Sequence, residues 1–480
     1  MADVRKESTL PGAHLSIAAL IVSLGGSANF AYHLIITNPA QDAFMRFVSD
    51  SFFNKHGRRL TFEQLETTWS IIVSILYWGT MVGALLIQTF SKHLGRKRAL
   101  TVANVMQAFS VSLAIYSYFA TDYILYTISR FLLGIAQALA LGIGPMYIME
   151  CSPARCRGVI SLSTGLIMQS FIVLAAIVAL PKMWGNDEDW WYLYAFELVE
   201  LVLVTILSQF LPESPPVLQL QGKHAEAQKS IQYYHGVSQV EAEGLLSTEE
   251  VPVERVKDLG LFEVLFKAES RKGTVLGCTA MFAMCFSGLV VVNAFAIEIL
   301  RNTGLSEDSA AYANVGICLI SVVGILIAAM VVERFGRRPL VLFGIFGCAV
   351  ANVAIFGFMF GYEKTGNQTL GWCLVATICI FILICCSTIA PLSFFLTSEL
   401  VDAKARPAAA TWANLILAAS RSILLALFLP LKLWLGAPTT YLILFVPPLV
   451  FCFIFLYYRL PETKHGKKEA DGQIKFIDEE

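Results

Sequence analysis

Charge is what this 480-residue chain has least of: Asp, Glu, Lys and Arg make up 15% of it, where a soluble protein carries about a quarter. The few charges gather in short clusters and leave long stretches almost free of them, which excludes a single soluble globular domain. Net charge is -1, so no basic excess marks a nucleic-acid partner. Histidine is scarce, with 7 in the chain, and no cluster of ligating groups accompanies it, so neither a metal site nor a cofactor is expected. No Ser-His-Asp set and no nucleotide-binding loop is present, which argues against an enzyme. Cysteines are missing from the polar loops where a disulfide framework would need them. Cys278, Cys285, Cys318, Cys348, Cys373, Cys379, Cys385, Cys386 and Cys452 fall inside apolar segments, and Cys151 and Cys156 lie in a basic turn. They read as small buried hydrophobes.

What the chain has instead is apolar length. Hydrophobic residues make up 56% of it and mean hydropathy is +0.65, the composition of an integral membrane protein whose solvent is the lipid bilayer. About twenty helical residues cross the ~30 Å hydrocarbon layer. By that ruler the spans lie near 15–36, 67–89, 99–119, 124–148, 158–180 and 191–211, then near 273–299, 308–332, 339–361, 370–395, 407–430 and 438–459. The first run extends from Leu15 through Ile36, too far for a cleaved signal peptide. The expected fold class is an all-α membrane protein of twelve transmembrane helices in two six-helix bundles, 15–211 and 273–460. Residues 1–14 and 461–480 are tails, and 212–272 is a small linker domain of short helices.

The two halves repeat. Gly95-Arg96-Lys97-Arg98 is matched by Gly336-Arg337-Arg338, Glu150 with Arg157-Gly158 by Glu399 with Arg406-Pro407, and Pro212-Glu213-Ser214-Pro215 by Pro461-Glu462-Thr463-Lys464. A duplicated multi-helix unit points to a transporter whose substrate path lies between the halves. Lys and Arg crowd the short loops of one side, at Lys92, Arg96–Arg98, Arg155, Arg157, Arg334, Arg337, Arg338, Lys404 and Arg406. That side is expected to be cytosolic, with both termini and the linker, in what is expected to be the plasma membrane. The nominally outer loop 39–66 runs against the trend with Arg46, Lys55, Arg58 and Arg59, balanced by Asp42, Asp50, Glu63 and Glu66. Asn367-Gln368-Thr369 is a glycosylation sequon on the outer side. No feature of the chain sets an oligomeric state.

Several ordered motifs resemble the sugar porter branch of the major facilitator superfamily, and within it the animal facilitative hexose transporters. They are Trp69-Ser70 with Gly83, His93 to Arg98, Ser129-Arg130-Phe131 with Gly134, Pro145-Met146-Tyr147 with Glu150, and Ser152-Pro153 with Arg157-Gly158. The set continues through Pro212 to Pro215, Val332 to Arg338, Glu399, Arg406 to Ala409 and Pro461-Glu462-Thr463. Gly95-Arg96-Lys97 with Ala99-Leu100 is nearest to the fructose-type members. The resemblance implies the major facilitator fold and alternating access. Arg96, Arg98, Glu150, Arg157, Glu213, Glu333, Arg337, Arg338, Glu399 and Arg406 are expected to form ion-pair clusters that join the halves on the inner face and part during the cycle. The alternative is that the arginines only obey the positive-inside bias.

The same resemblance implies a rebuilt sugar site. Positions that carry sugar-binding amides in the family hold Gly165, Met284, Cys285, Val290 and Leu417 here, and those of a tryptophan and a glutamate hold Phe394 and Cys386. Each sugar hydroxyl left unpaired costs about 1–3 kcal/mol, so replacements are needed. Tyr32, Asn38, Gln169, Ser287, Asn293, Asn314, Thr411 and Asn414 offer polar groups, each equally suited to interhelical bonding. Phe394 and Phe395 offer a stacking face. His33 stands where proton-coupled relatives carry aspartate and uniporters asparagine, and Arg130 is the partner of that position. A buried histidine beside an arginine is expected to be neutral, which favours an uncoupled uniporter. Arg421, inside the eleventh span, meets an anionic substrate such as urate or a carboxylate, or a backbone carbonyl. Glu197, Glu200 and Glu298 have no assigned partner. The leading function is facilitative transport of a hexose or similar small polar solute. The alternatives are carriage of an organic anion and a non-transporting solute sensor.

Overall fold

The structure, a computed structural model, describes residues 11–153, 156–239, 243, 260–302, 304–401 and 405–461. It leaves out the side chains of Arg157, Gly158, Ser161, Leu162, Glu269, Ala329, Val332, Glu333, Phe395 and Ser398. No strand occurs among the described residues. Among the described residues, eleven helical segments are long and apolar enough to cross a membrane. The first half consists of Ala13–Ile35, Phe62–Leu94, Arg96–Phe119, Tyr123–Cys151, Arg157–Val178 and Trp191–Ser208. Arg157–Val178, the fifth in order, contributes an apolar stretch over Ser163–Val178. The second half runs through Ser270–Arg301, Glu307–Phe335, Arg337–Thr365, Gln368–Ser387 with Ile389–Glu399, Arg406–Leu435 and Ala437–Arg459. Most of these extend the expected spans by one to five residues at an end, while Arg157–Val178 and Trp191–Ser208 stop two and three residues short of theirs.

The repeat seen in the sequence is repeated in geometry. Gly95 joins the second and third spans with φ 81° and ψ -175°, and Gly336 joins the eighth and ninth with φ 86° and ψ 169°. Only glycine adopts that backbone without strain. It lets each helix reverse within a single residue and sets the basic cluster at its start.

Three spans are not continuous α-helices. In the first, Leu24–Ala28 forms a π-helical turn, where Gly25 and Gly26 leave no room for a side chain against Asn104, Val204 and the Ala140 carbonyl. In the seventh, Ala268–Cys285 and Leu289–Arg301 meet at Gly288, whose φ is 101°. In the tenth, the break falls at Thr388. Irregular backbone at such depth is tolerated where it is buried in protein, and the Asn352 amide donates to the Ser287 carbonyl at 2.7 Å beside the seventh-span break.

One expectation fails at the end opposite the basic turns. Residues 39–66, read as a loop, contain a helix, Gln41–His56. Its Phe44 and Phe47 are buried, and Phe44 packs on Trp69, Tyr126 and Trp190 with ring centroids 5.5, 5.6 and 4.9 Å away. The charges that disguised it lie on the outward face of an amphipathic helix. Between the halves, Pro215–Leu220, His224–His235 and Glu263–Phe266 are short helices at the basic end. The Tyr234 hydroxyl lies 2.6 Å from that of Tyr147 in the fourth span, and Trp412 of the eleventh span donates to the Leu261 carbonyl at 2.8 Å. The linker is thus pinned to both halves; its segment 244–259 lies outside the described residues.

Candidate functional site

The halves meet where the second span packs on the eleventh and the fifth on the eighth. The polar bonds across this seam gather at the end opposite the basic turns. Asn38 donates to the Asn293 carbonyl at 3.1 Å and to Asn314 Oδ1 at 3.3 Å, and it accepts from the Ile297 N–H at 3.2 Å. Gln41 donates to Glu298 at 2.9 Å. The Lys432 ammonium bridges Glu66 of the first half, at 3.2 Å, and Glu298 of the second. Arg301 pairs with Asp42 at 2.6 Å, and Lys182 with Asp308 at 2.8 Å. The hydrogen bond that the Lys182 ammonium donates to Asp308 raises it above its ordinary value. Nearer the middle, Ser70 donates to the Leu425 carbonyl and to that of Ala426 at 3.2 Å.

At the basic end the described pairs stay within one half. Arg96 forks onto Glu150 at 2.8 Å, and Ser214 donates to the same carboxylate at 2.7 Å. The backbone N–H groups of Arg96 and Lys97 donate to Glu213 at 3.1 and 3.0 Å, so the helix N-terminus is closed by an acid. In the second half Arg337 lies 3.5 Å from Glu399, and Arg338 donates to the Tyr457 carbonyl at 2.9 Å. These contacts tie neighbouring helices of one bundle, where the sequence leads one to expect bonds joining the two. Arg98 is exposed, and Arg406 heads the eleventh span at the same end. The side chains of Arg157 and Glu333 lie outside the described residues, as does that of Phe395.

His33 does not meet the partner expected for it. Its Nε2 lies 2.6 Å from Glu197 Oε2, with both side chains sealed from solvent. The contact requires one proton between the two groups. The like-charge argument for a neutral histidine therefore overlooked a carboxylate one hydrogen bond away. Arg130, equally buried, sits among Tyr77, Tyr126 and Tyr194. Asn29 binds the next acid of the sixth span, Glu200, at 3.0 Å. Nothing in the spacing of His33 and Glu197 announces their meeting, because 164 residues separate them.

The remaining candidates divide by where their polar atoms go. Tyr32 donates to the Leu193 carbonyl at 3.0 Å inside the first half. Ser287 donates to the Met284 carbonyl at 2.7 Å and faces Cys385 inside the second. Thr411 donates to the Pro407 carbonyl of its own helix. Asn38, expected to touch solute, is a clasp between the halves. Those groups are engaged with protein here. Gln169 lies on the seam, 3.9 Å from the Cys386 thiol with its Oε1 unpaired, and Gly165 nearby faces Ile325. Asn293 and Asn414 are half-buried and Phe394 is exposed. Cys285 and Arg421 come together: the Cys285 thiol lies 3.6 Å from the Leu417 carbonyl, and the Arg421 guanidinium sits against it. Asn367 is exposed at the end opposite the basic turns, where its side chain caps the tenth span by accepting from Thr369 N at 3.0 Å. Among the described residues no cluster of His, Cys, Asp or Glu is arranged to hold a metal ion.

Comparison with known proteins agrees with this architecture. Human solute carrier family 2, facilitated glucose transporter member 4, is 28% identical over 458 residues, covering 93% of this chain and 88% of its own. Facilitated glucose transporter protein 1 of Caenorhabditis elegans is 24% identical over 465 residues, 96% of this chain and 90% of its own. The inward-open structure of the xylose transporter XylE from E. coli superposes with a TM-score of 0.75 at 18% identity, over 94% of this chain and 97% of that one. The fold is that of the major facilitator superfamily. The sequence profile of the sugar (and other) transporter family matches residues 18–470, and the chain belongs to that family.

Proposed function

We propose that the protein is a facilitative uniporter that carries a hexose by alternating access, with the end bearing the Gly95 and Gly336 turns in the cytosol. One observation carries the reading: the bonds between the halves gather at the opposite end, while the described charge pairs of the basic turns tie each half to itself. That is the arrangement expected of a carrier closed outside and open inside. Its return stroke would release the outer bonds and let the Arg96 and Arg337 clusters re-pair across the seam, with the difference in interaction energy setting the balance of states. The relatives named facilitated glucose transporters support a hexose as solute and passive movement as mode. The protein carries out no covalent chemistry in this reading. The plasma membrane is its proposed site, and Asn367 a glycan acceptor on the outer face.

The test is uptake and counterflow of labelled glucose and fructose by the purified full-length protein in liposomes. Saturable flux, accelerated by hexose on the far side, is the expected result. Absence of saturable flux for every hexose tried would remove the reading. Cysteines placed at Arg96 and Arg337 should both be labelled from the same face, that of the linker; labelling from opposite faces would refute the topology.

A further inference from the structure

Arginine does not give up its proton inside a protein, and this chain buries two guanidiniums at the middle of the bundle without a carboxylate for either. Arg421 of the eleventh span is 6% exposed; its guanidinium lies 5.2 Å from the centre of the Phe30 ring and 5.8 Å from that of Tyr77, both across the seam. Its Nε is sealed and makes no hydrogen bond. Arg130 is 1% exposed, with Nε and Nη1 likewise unpaired, and its charge acts on the same Tyr77. The acid beyond Tyr194, Glu197, is taken by His33. An ion without its counterion at such depth is unfavourable unless something supplies the opposite charge.

The surroundings of Arg421 say what kind of thing that is. The resemblance expects amides at Cys285 and Leu417. A thiol and an aliphatic chain stand there instead, the thiol 3.6 Å from the Leu417 backbone carbonyl, with Arg421 one helical turn beyond Leu417 against the thiol. Two neutral hydrogen-bonding side chains are replaced beside one planar cation. A guanidinium forks onto a carboxylate through two parallel hydrogen bonds, which a neutral hydroxyl cannot match. We infer that the carried solute is a hexose-sized hydroxylated acid, such as a hexuronate, whose carboxylate docks on Arg421, with Arg130 adding to the positive field from the far side of Tyr77. This deepens the proposed function and rests on its alternating-access reading.

The test uses the full-length protein in liposomes with D-glucuronate, D-glucose and chloride as probes, and with the membrane potential clamped. Glucuronate should enter at least ten times faster than glucose at equal concentration and should be speeded by an inside-positive potential. Arg421→Gln should lower glucuronate affinity on the order of 100-fold, with Arg421→Lys intermediate. Thermal unfolding of each variant separates lost binding from lost folding, and should glutamine prevent folding, the lysine variant carries the comparison. Glucose favoured over glucuronate, or an Arg421→Gln protein that carries glucuronate normally, overturns the inference and leaves the hexose carrier standing. Chloride competing as well as glucuronate also overturns it, since the site then holds only an inorganic ion. Flux of neither sugar nor sugar acid removes both.

Discussion

The Lys432 ammonium lies 3.2 Å from the Glu66 carboxylate, a contact that joins the eleventh span to the second and so one half to the other. Both groups are largely buried, at 15% and 4% side-chain exposure, and Glu298 of the seventh span shares the same ammonium. Two acids are held close by one cation. Removing the cation leaves them to repel.

Lys432→Ala should therefore favour opening at this end, by about 2 kcal/mol, or roughly 30-fold in the ratio of conformers. Spin labels on Phe53 and Lys364, exposed residues of opposite halves at this end, would report it. A distance distribution unchanged from the parent protein would show that the triad does not hold the closure.

His33 and Glu197 make a buried pair within the first half, so breaking it should act on stability. Glu197→Ala or His33→Ala should destabilise the bundle by about 3–5 kcal/mol, since each leaves a buried group without its partner. Thermal unfolding in detergent measures this. The uniporter reading adds that an imposed pH gradient should not drive hexose accumulation in the parent protein. Accumulation that vanishes in His33→Ala while exchange persists would make the pair a coupling site.

Gly95→Ala and Gly336→Ala should each lower stability by about 1–3 kcal/mol, because both glycines adopt a backbone closed to alanine. Gly95 carries a second penalty, as a methyl there would come within 2.8 Å of the Glu213 carboxylate. The comparison to make is unfolding temperature, which each substitution should lower.

Asp122 supplies a pH dependence outside the spans. Burial pushes its carboxyl up, but the Lys55 ammonium at 2.5 Å and the N–H groups of Ile124 and Leu125 outweigh that and hold it below its ordinary value. A carboxyl depressed in the folded state stabilises above its unfolded pKa and loses that contribution as pH falls through the folded one. Unfolding temperature should thus drop in acid more steeply for the parent than for Asp122→Asn. At neutral pH the variant should be weaker by up to about 1 kcal/mol through loss of the Lys55 pair, since asparagine still caps the helix.

The spans and the twofold repeat were legible because they rest on local signals: apolar runs of membrane length, and a glycine followed by basic residues in each half. The helix Gln41–His56 was not, since Arg46, Asp42 and Lys55 dilute a hydrophobic stripe that is narrow to begin with. The breaks in the seventh and tenth spans left little trace, because Gly288 and Thr388 sit in otherwise apolar sequence. The site was legible in its residue types and not in its pairings. Glu197, Glu298 and Lys432 stand out as charges within or at the edge of spans, but what each meets depends on helices far away in sequence. His33 shows the limit most clearly: its family position suggested Arg130, and the packing of the first span on the sixth supplied Glu197.

Asn293, Ile297, Glu298 and Arg301, which hold the seam at the end opposite the basic turns, all belong to Leu289–Arg301, the short helix that begins after Gly288. A carrier built this way can release these contacts by swivelling that helix, kinked again at Phe295, on one glycine, while Lys432–Glu66 and Lys182–Asp308 still hold the bundles at rest. Solute entry and the large rocking motion become separable steps, and a substitution at the pivot would alter the first without touching the second.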